Sequence, residues 1–315
     1  MRRASANKRL VLAVSGGRDS MALLHACARA TRDSIAVVAT FDHGTGEAAT
    51  AAARLVERDA KQLGLPFRGD RADTPGLNEA EWRESRRRFL RAVAAEVGGA
   101  IATAHTRDDQ LETILIRVLR DSGARGLAGL YADSEVVRPF LEFSRAEVAD
   151  YATWVGAAWL EDPSNASSRH LRNRVRRDLL PALAASRPRL ADELLELSRR
   201  AADWRRALDA ATASWASTRS PGGSLTVATA DLAPYTRNEL AVVWPALAAR
   251  VGLVMDWRGT ERAAAFTNSS KVGRRIQLSG GWELARSRGH FELRRWREGN
   301  TGKGTRDRGN RMGTG

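Results

Sequence analysis

The stretch Ser15-Gly16-Gly17-Arg18-Asp19-Ser20 is the first whose residue types could do chemistry. It follows the apolar run 10–14 and precedes a segment, 21–30, with apolar residues at helical spacing. A glycine-rich turn between a strand and a helix groups several backbone N–H donors at the positive end of the helix dipole, with Asp19 or Ser20 as the expected N-cap. Such a turn binds anions, most often phosphate.

Two familiar phosphate-binding patterns are absent from this turn. The lysine of a G-x-x-x-x-G-K-[ST] loop is missing, and so is the G-x-G-x-x-G spacing of dinucleotide-binding proteins. Gly-Gly turns with a serine or aspartate cap also occur in proteins that bind nothing. The rest of the chain therefore has to decide between a phosphate loop and an ordinary turn.

A second polar group, His105, Asp108, Asp109 and Glu112, opens a helix after the apolar run 100–104. Asp109 and Glu112 are three positions apart and share one helical face. Acidic residues are common at a helix start as caps, but beside a phosphate loop a carboxylate pair can instead hold Mg²⁺ or a cationic substrate. His105, at a strand end, is either structural or placed for nucleotide contact or proton transfer.

Two groups of arginines are candidates for phosphate contact. Arg83 and Arg86 lie three positions apart in an Arg-rich helical segment, and residues 172–176 read Arg-Asn-Arg-Val-Arg. Each group is either solvated or bound to phosphate, for which the planar guanidinium is well suited. For 172–176 the overall charge favours contact with a nucleic-acid backbone.

The elements that carry these residues alternate between strands and helices. Apolar runs and helical patterns follow one another at 10–14, 21–30, 35–41, 47–63, 78–97 and 100–104. A further short strand starts at Phe67. This alternation predicts an α/β domain with a doubly wound, mostly parallel sheet. Because ligands bind beyond the carboxyl ends of such strands, we expect Ser15, Asp42 and His105, which end three of the strands, to line one site.

The charge and the cysteine content narrow the function classes. The chain has 315 residues, 51 Lys and Arg against 37 Asp and Glu, a net charge of +14 and a pI near 11.1, which indicates a polyanionic partner, nucleic acid above all. No apolar stretch is long enough to span a membrane, and no signal-peptide core precedes Leu10, so we expect a cytoplasmic protein. The single cysteine, Cys27, excludes a disulfide framework and a cysteine-based metal site.

The composition shifts from Pro188 onwards, where long helical patterns replace the alternation of strands and helices. We expect a catalytic domain at 1–185 followed by a smaller, mainly helical domain at 186–298. Residues 299–315, rich in Gly, Arg, Asn and Thr, are expected to form a disordered tail.

The second half contains three further predicted elements. A short strand is expected at 225–227 and a small β-element at 273–293. A helix is expected at 238–251, with a kink or break at Trp244-Pro245 because proline cannot donate a helical hydrogen bond.

In their order along the chain, these motifs resemble those of the tRNA(Ile)-lysidine synthases, which are PP-loop ATP pyrophosphatases. The matching motifs are 15–20, Asp42-His43-Gly44, Glu79-Ala80 with Arg83 and Arg86, His105 to Thr113, Ser122 to Gly129, Arg138 to Leu141, Asp162 to Asn165, and Arg172 to Arg176. The match is dense over about the first 185 residues. Trp82 departs from the family, in which a small residue is usual, but no departure removes a carboxylate or the phosphate loop.

The resemblance implies the adenine-nucleotide α-hydrolase (PP-loop) fold and a C–N ligase that uses ATP and Mg²⁺. In the implied reaction, ATP adenylates the 2-carbonyl oxygen of the wobble cytidine in isoleucine tRNA with a CAU anticodon. Lysine then displaces AMP at the 2-position carbon, giving lysidine, with pyrophosphate as the other product. The implied partners are this tRNA and free lysine, with no membrane. The oligomeric state stays open, a homodimer included.

The resemblance also implies a role for each candidate residue. The loop 15–20 would hold ATP, and Asp19 and Asp108 would hold the metal. Asp109 and Glu112 would grip the lysine amine. The residues implied in catalysis are Arg83, His105 and the three carboxylates Asp19, Asp109 and Glu112. Those implied in tRNA contact are Arg86, Arg172, Asn173, Arg174 and Arg176.

Two other functions are weighed against this one. Another PP-loop tRNA-modifying enzyme, such as a 2-thiocytidine synthase, is disfavoured because persulfide or iron–sulfur chemistry needs two or more thiols and the chain has one. A non-enzymatic RNA-binding protein that retains a nucleotide-binding fold is disfavoured by the intact carboxylates Asp19, Asp109 and Glu112.

Overall fold

The computed structural model describes residues 9–73, 79–120, 122–161, 171–218 and 223–296. The chain divides into two compact units, Met1–Arg206 and Ala207–Gly315. The domain boundary expected near residue 185 stays a prediction, and the expected tail at 299–315 lies outside the described residues. Among those residues, no helix combines the length and the apolar character needed to cross a membrane.

The first unit is built on a five-stranded sheet. Its strands are β1 (Leu10–Ala13), β2 (Ile35–Asp42), β3 (Phe67–Arg71), β4 (Ala100–Ala102) and β5 (Val136–Val137). They lie in the order β3-β2-β1-β4-β5, and every neighbouring pair is parallel. β1 is central because it is apolar throughout: Leu12 is buried in the core on one face and Val11 in the core on the other. The predicted doubly wound parallel sheet is confirmed.

Helices cover both faces of this sheet. The described helices that begin in the first unit are α1 (Arg18–Ala30), α2 (Glu47–Gln62), α3 (Glu79–Val97), α4 (Arg107–Val118), α5 (Ala124–Leu127), α6 (Arg145–Trp154), α7 (Leu171–Arg174), α8 (Leu180–Ser186) and α9 (Leu190–Ala211), with a π-helical turn at Val175–Leu179. Residues of α1, α2 and α6 form one core with β1 and β2, while Leu90 and Val93 of α3 pack on the opposite face. Because all the neighbouring strands are parallel, their carboxyl ends share one edge, which is where ligands bind in such sheets.

The second unit combines helices with an antiparallel sheet. In spatial order its strands are β6 (Ala216–Thr218), β7 (Leu225–Ala228), β10 (His290–Arg295), β9 (Trp282–Ser287) and β8 (Arg275–Leu278). Its helices are α10 (Thr229–Leu232), α11 (Arg237–Ala249) and α12 (Trp257–Ser269). The predicted strand at 225–227 and β-element at 273–293 are present, but they belong to one five-stranded sheet that is larger than expected.

Pro245 lies inside α11, which continues through it, so of the predicted kink or break the break does not occur and the kink stays a prediction. Proline in a helix interior removes one hydrogen bond and costs about 3 kcal/mol. The helix persists because Trp244 and Leu247 are fully buried in the core of the second unit. In addition, the Trp244 indole N–H donates to Thr267 Oγ1 of α12 at 2.8 Å. Packing and this buried hydrogen bond outweigh the local penalty.

A buried glutamine joins α4 to two other parts of the first unit. The Gln110 side-chain amide donates to Ala128 O at 3.2 Å and to the Ser198 hydroxyl of α9, and its Oε1 accepts from Leu130 N at 2.6 Å. Gly129 adopts φ +57°, and a Cβ there would lie 2.5 Å from Gln110 Oε1, so the close approach requires glycine. These contacts hold α4 in position and orientation.

Replacing this glutamine tests the contribution of the buried contacts. Gln110→Leu leaves the Leu130 amide without its acceptor and removes two donated bonds. We expect the free energy of unfolding to fall by about 3 kcal/mol, measured by urea denaturation. Gln62→Leu, an exposed position on α2, is the matched control and should change it by less than about 0.5 kcal/mol. Equal effects of the two substitutions would contradict the assigned role.

Candidate active site

Four strand ends bring candidate residues to the same edge of the sheet. Ser15, His43, His105 and Arg138 lie in the segments that follow β1, β2, β4 and β5. Asp42, the last residue of β2, is committed to the local fold: its carboxylate accepts from the Gly44 amide and the Thr50 hydroxyl, both at 2.8 Å. The three predicted residues, Ser15, Asp42 and His105, are thus found at strand ends on this edge, and that they line one ligand site stays a prediction.

The loop after β1 is held in a tight turn by Gly16 and Ser20. Gly16 adopts φ +82°, and a Cβ there would lie 2.8 Å from Cβ of Ala52 in α2. The Ser20 hydroxyl donates to Gly17 O at 2.8 Å and accepts from Ser15 N at 3.1 Å. Ser20 is buried, so its hydroxyl serves the loop's own structure, while Ser15 is exposed at the edge.

α1 begins without a side-chain cap. Its N-cap is Gly17, so the prediction of Asp19 or Ser20 as the cap is wrong, because the helix starts earlier and Ser20 Oγ bonds back to Gly17 O. Within the described part of the chain, the backbone N–H groups of residues 16–19 have no acceptor. Arg18 and Asp19 pair through their side chains, Nε to Oδ1, at 3.3 Å. The loop therefore presents free amide donors at a positive helix end, which fits a phosphate group.

Asp109 caps its own helix with one carboxylate oxygen and faces the site with the other. Its Oδ2 accepts from the Thr106 amide at 2.8 Å, which completes a capping box at the start of α4. Its Oδ1 lies 3.1 Å from Nη2 of Arg145. Burial opposes ionisation, but the charge of Arg145 and the Thr106 hydrogen bond outweigh it and lower the pKa of Asp109. The capping and site interpretations of this residue are thus compatible.

Glu112 is fully buried, and three guanidinium groups surround its carboxylate. Arg176 binds it with two nitrogens, Nε at 2.7 Å from Oε1 and Nη2 at 3.1 Å from Oε2. Arg172 Nε lies 3.3 Å from Oε2, and Arg145 Nη2 lies 3.1 Å from Oε1. Both oxygens of this carboxylate are therefore occupied by guanidinium groups.

Arg145 is a site residue that the sequence analysis did not single out. Its Nη2 contacts Asp109 and Glu112, and its Nε lies 3.8 Å from Oδ2 of Asp19. It thereby joins the loop after β1 to the carboxylate pair on α4. One signal was available: Arg145 is the first residue of α6, and a cation is unfavourable at a helix N-terminus unless an acid pairs with it.

The Asp108 carboxylate accepts a hydrogen bond from a backbone amide. Its Oδ2 accepts from the Arg145 amide at 2.7 Å, so it stabilises the start of α6. Among the described residues no group of three or more His, Cys, Asp or Glu side chains is arranged to hold a metal ion. Asp19, beside the free amides, is the carboxylate best placed to share a metal with bound phosphate.

His105 is half-buried next to several cations. Its Nδ1 lies 2.7 Å from Oγ1 of Thr103. Burial and the charges of Arg138, Arg172 and Arg86 lower the pKa of His105 to about 4, against the opposing effect of Asp109. The imidazole is therefore neutral near pH 7 and is not a cation there.

The remaining candidate residues, on α3 and in the 172–176 segment, differ in how exposed they are to solvent. Arg83 and Arg86 are exposed on α3, and the charge of Arg86 reaches His105. Arg174 is exposed and Asn173 is buried, while Arg172 and Arg176, four residues apart, turn towards Glu112. Sequence reasoning placed Arg172 and Arg176 on a nucleic-acid backbone because the buried position of Glu112 is not visible in the sequence.

Known proteins resemble this chain at both the sequence and the fold level. A family model described as a PP-loop domain matches residues 1–183. The tRNA(Ile)-lysidine synthase of Salinispora arenicola is 37% identical over 296 residues, covering 84% of this chain and 88% of the relative. That of Solibacter usitatus is 41% identical over 192 residues, covering 59% of this chain and 43% of the relative.

A solved structure supports the fold. The U34-tRNA thiolase NcsA of Methanococcus maripaludis superimposes with a TM-score of 0.53 at 15% identity, covering 64% of this chain and 76% of the thiolase. At that identity the likeness concerns the fold alone. The sequence matches show more than the fold. The family model spans the loop 15–20 and the acidic helix α4, and the lysidine synthase of Salinispora arenicola matches over 84% of this chain. This chain belongs to the tRNA(Ile)-lysidine synthase family of PP-loop proteins.

Proposed function

We propose that this protein ligates lysine to the 2-position carbon of the wobble cytidine in isoleucine tRNA with a CAU anticodon. One observation carries the proposal: Arg145 contacts Asp19 of the phosphate loop and Asp109 of α4 with the same guanidinium group. An ATP phosphate site and an acidic site suited to an amine are therefore adjacent. Membership of the lysidine synthase family supports both assignments.

In the first step, the 2-carbonyl oxygen of the cytidine attacks the α-phosphorus of ATP and pyrophosphate leaves. The free amides of residues 16–19 would bind the departing phosphates. Mg²⁺ held by Asp19 and phosphate oxygens would neutralise their charge, which needs only one or two protein carboxylates. The resemblance implies a metal-binding role for Asp108. Its hydrogen bond with the Arg145 amide supports a different role, which is to stabilise the start of α6. Arg83 or Arg86 of α3 is proposed on the α-phosphate or the tRNA backbone.

In the second step, the lysine side-chain amine attacks the 2-position carbon and AMP leaves with the former carbonyl oxygen. The amine has to lose a proton before it attacks, because an ammonium has no lone pair. His105 is proposed near the nucleotide as a neutral hydrogen-bonding group, since its low pKa makes it a weak base. Lysine enters as a cation, and the proposed partners, Asp109 and Glu112, already contact arginines. We propose that the ammonium replaces one of these guanidinium groups, which frees an arginine for phosphate.

The tRNA contacts proposed for the 172–176 segment fall into two groups. Arg174 is exposed and can meet the backbone directly, and buried Asn173 would order the segment. Arg172 and Arg176 would first have to leave Glu112. The net charge of +14 supports a polyanionic substrate of this kind.

The test combines the full chain with ATP, Mg²⁺, labelled lysine and isoleucine tRNA bearing CAU. We expect AMP release that requires both lysine and this tRNA, and label in the tRNA. Methionine tRNA, with the same anticodon, is the specificity control. AMP release that needs a sulfur donor instead of lysine would favour a thiolation enzyme. Absence of any AMP release, with tRNA still bound, would favour a non-enzymatic RNA-binding protein.

The lysine role of Asp109 predicts a selective defect. Asp109→Asn removes the negative charge but keeps an acceptor for the Thr106 amide, so the cap of α4 should persist. We expect KM for lysine to rise at least tenfold, about 1.5 kcal/mol or more, because a charged hydrogen bond is lost. The Kd for ATP should stay within twofold. Asp33→Asn, at an exposed aspartate, is the control for charge. Equal loss of lysine and ATP binding would show that Asp109 is misassigned.

The neutral state of His105 predicts acid sensitivity. Its pKa is about 4 in the folded protein and 6.5 in its ordinary state, so between these values the unfolded chain binds a proton that the folded chain does not. The free energy of unfolding therefore drops as the pH is lowered from 6.5 to 4, by up to about 3 kcal/mol from this group. Urea denaturation between pH 4 and 7 should show a shallower decline for His105→Gln. Parallel profiles would contradict the assignment.

A further inference from the structure

Two arginines flank the segment Gly126–Leu130. Arg138 lies at the strand-end edge described above, and Arg117 has no place in the site so far. Arg117, in the last turn of α4, donates from Nη1 to Gly126 O. Arg138, directly after β5, donates from Nη1 to Leu130 O at 3.3 Å, Val136 O at 3.2 Å and Ser134 Oγ at 2.9 Å. Both side chains are half-buried. Each guanidinium is thus anchored through one nitrogen only.

The two arginines have no carboxylate partner within the described ranges of the chain. No ion pair involves either of them there, and the Nε of Arg138 is buried without an acceptor. Burial and the charge of Arg117 lower the pKa of Arg138, and burial and the charge of Arg205 lower that of Arg117. Guanidinium groups stay charged in proteins, so this is an uncompensated cluster of positive charge. A bound anion would offset it.

The cluster lies at the carboxyl edge of the sheet, beside the proposed active site. Arg138 follows β5 as His105 follows β4, and its charge is among those that lower the pKa of His105. β5 is two strands from β1, roughly 10 Å, so the cluster is displaced from the loop 15–20 across the sheet. An anion at Arg117 and Arg138 would therefore lie beside the reacting groups and would be distinct from the ATP phosphates proposed at the loop 15–20.

We propose that Arg117 and Arg138 form a phosphate site for the RNA backbone next to the target nucleotide, an inference that rests on the proposed function. Among the described residues, Nε and Nη2 of Arg117 and Nη2 of Arg138 donate to no acceptor. The planar guanidinium matches the geometry of a phosphate group. Two guanidinium groups can bind one phosphate together or bridge two neighbouring phosphates. The Gly126–Leu130 segment holds the pair in place through its carbonyl groups.

The test measures equilibrium binding of isoleucine tRNA to the full chain, without ATP or lysine, over a range of salt concentrations. Arg117→Gln should lower the magnitude of the slope of log K against log salt by about 0.9, the value for one phosphate contact on a duplex, or by about 0.7 on a single strand. Affinity at low salt should fall roughly tenfold. The Kd for ATP should stay unchanged. Arg138→Lys, which keeps the charge but not the fork, should weaken binding and keep the slope.

Arg200→Gln is the matched control, because Arg200 is an exposed arginine paired with Glu196 on α9 and loses the same charge. If Arg117→Gln and Arg200→Gln shift the slope equally, the site does not exist. A lower thermal midpoint for Arg117→Gln with an unchanged slope would show a purely structural role and also overturn the proposal. Binding is measured without turnover, so failure of lysidine formation by the unmodified chain would contradict the proposed function while leaving this result interpretable.

Discussion

The buried carboxylate of Glu112 is the group on which the arrangement of the site depends. A charge without solvent is tolerated only when it is paired and hydrogen-bonded, and here three guanidinium groups meet that condition. They come from two separate segments, the start of α6 and the helix through 171–179. Satisfying one carboxylate therefore fixes both segments against α4. Through Arg145 the same network extends to Asp19 in the phosphate loop.

The carboxylates Asp109 and Glu112 and the loop 15–20 differ in charge and in whether their polar groups already have partners. The loop offers amide donors that have no acceptor, whereas the carboxylates of Asp109 and Glu112 are already in contact with cations. In the proposed reaction, phosphate needs only to bind, but lysine needs an exchange of partners. The arginines released by that exchange carry the charge that a phosphate requires. In the proposed reaction one network would thus serve two substrates of opposite charge.

Sequence reasoning predicted the parts of the fold that depend on local pattern. The apolar runs at 10–14, 35–41 and 100–104 are recognisable as strands because both faces of each are buried. The position of Asp109 and Glu112 on one helix follows from their spacing. Contacts between distant segments could not be predicted from local pattern. Arg145 pairs with three carboxylates, and Arg176 pairs with Glu112, only when the helices pack. β5, two residues long, was too short to leave a pattern.

The approach of Gly16 to Ala52 has a consequence for how this protein can vary. A methyl group on Gly16 would meet the Ala52 methyl at 2.8 Å, so the space between the loop and α2 is already filled. Enlarging either residue would push the loop and the helix apart. The size of the side chain at position 52 thereby limits how closely the loop and α2 can approach each other. Positions 16 and 52 have to stay small together.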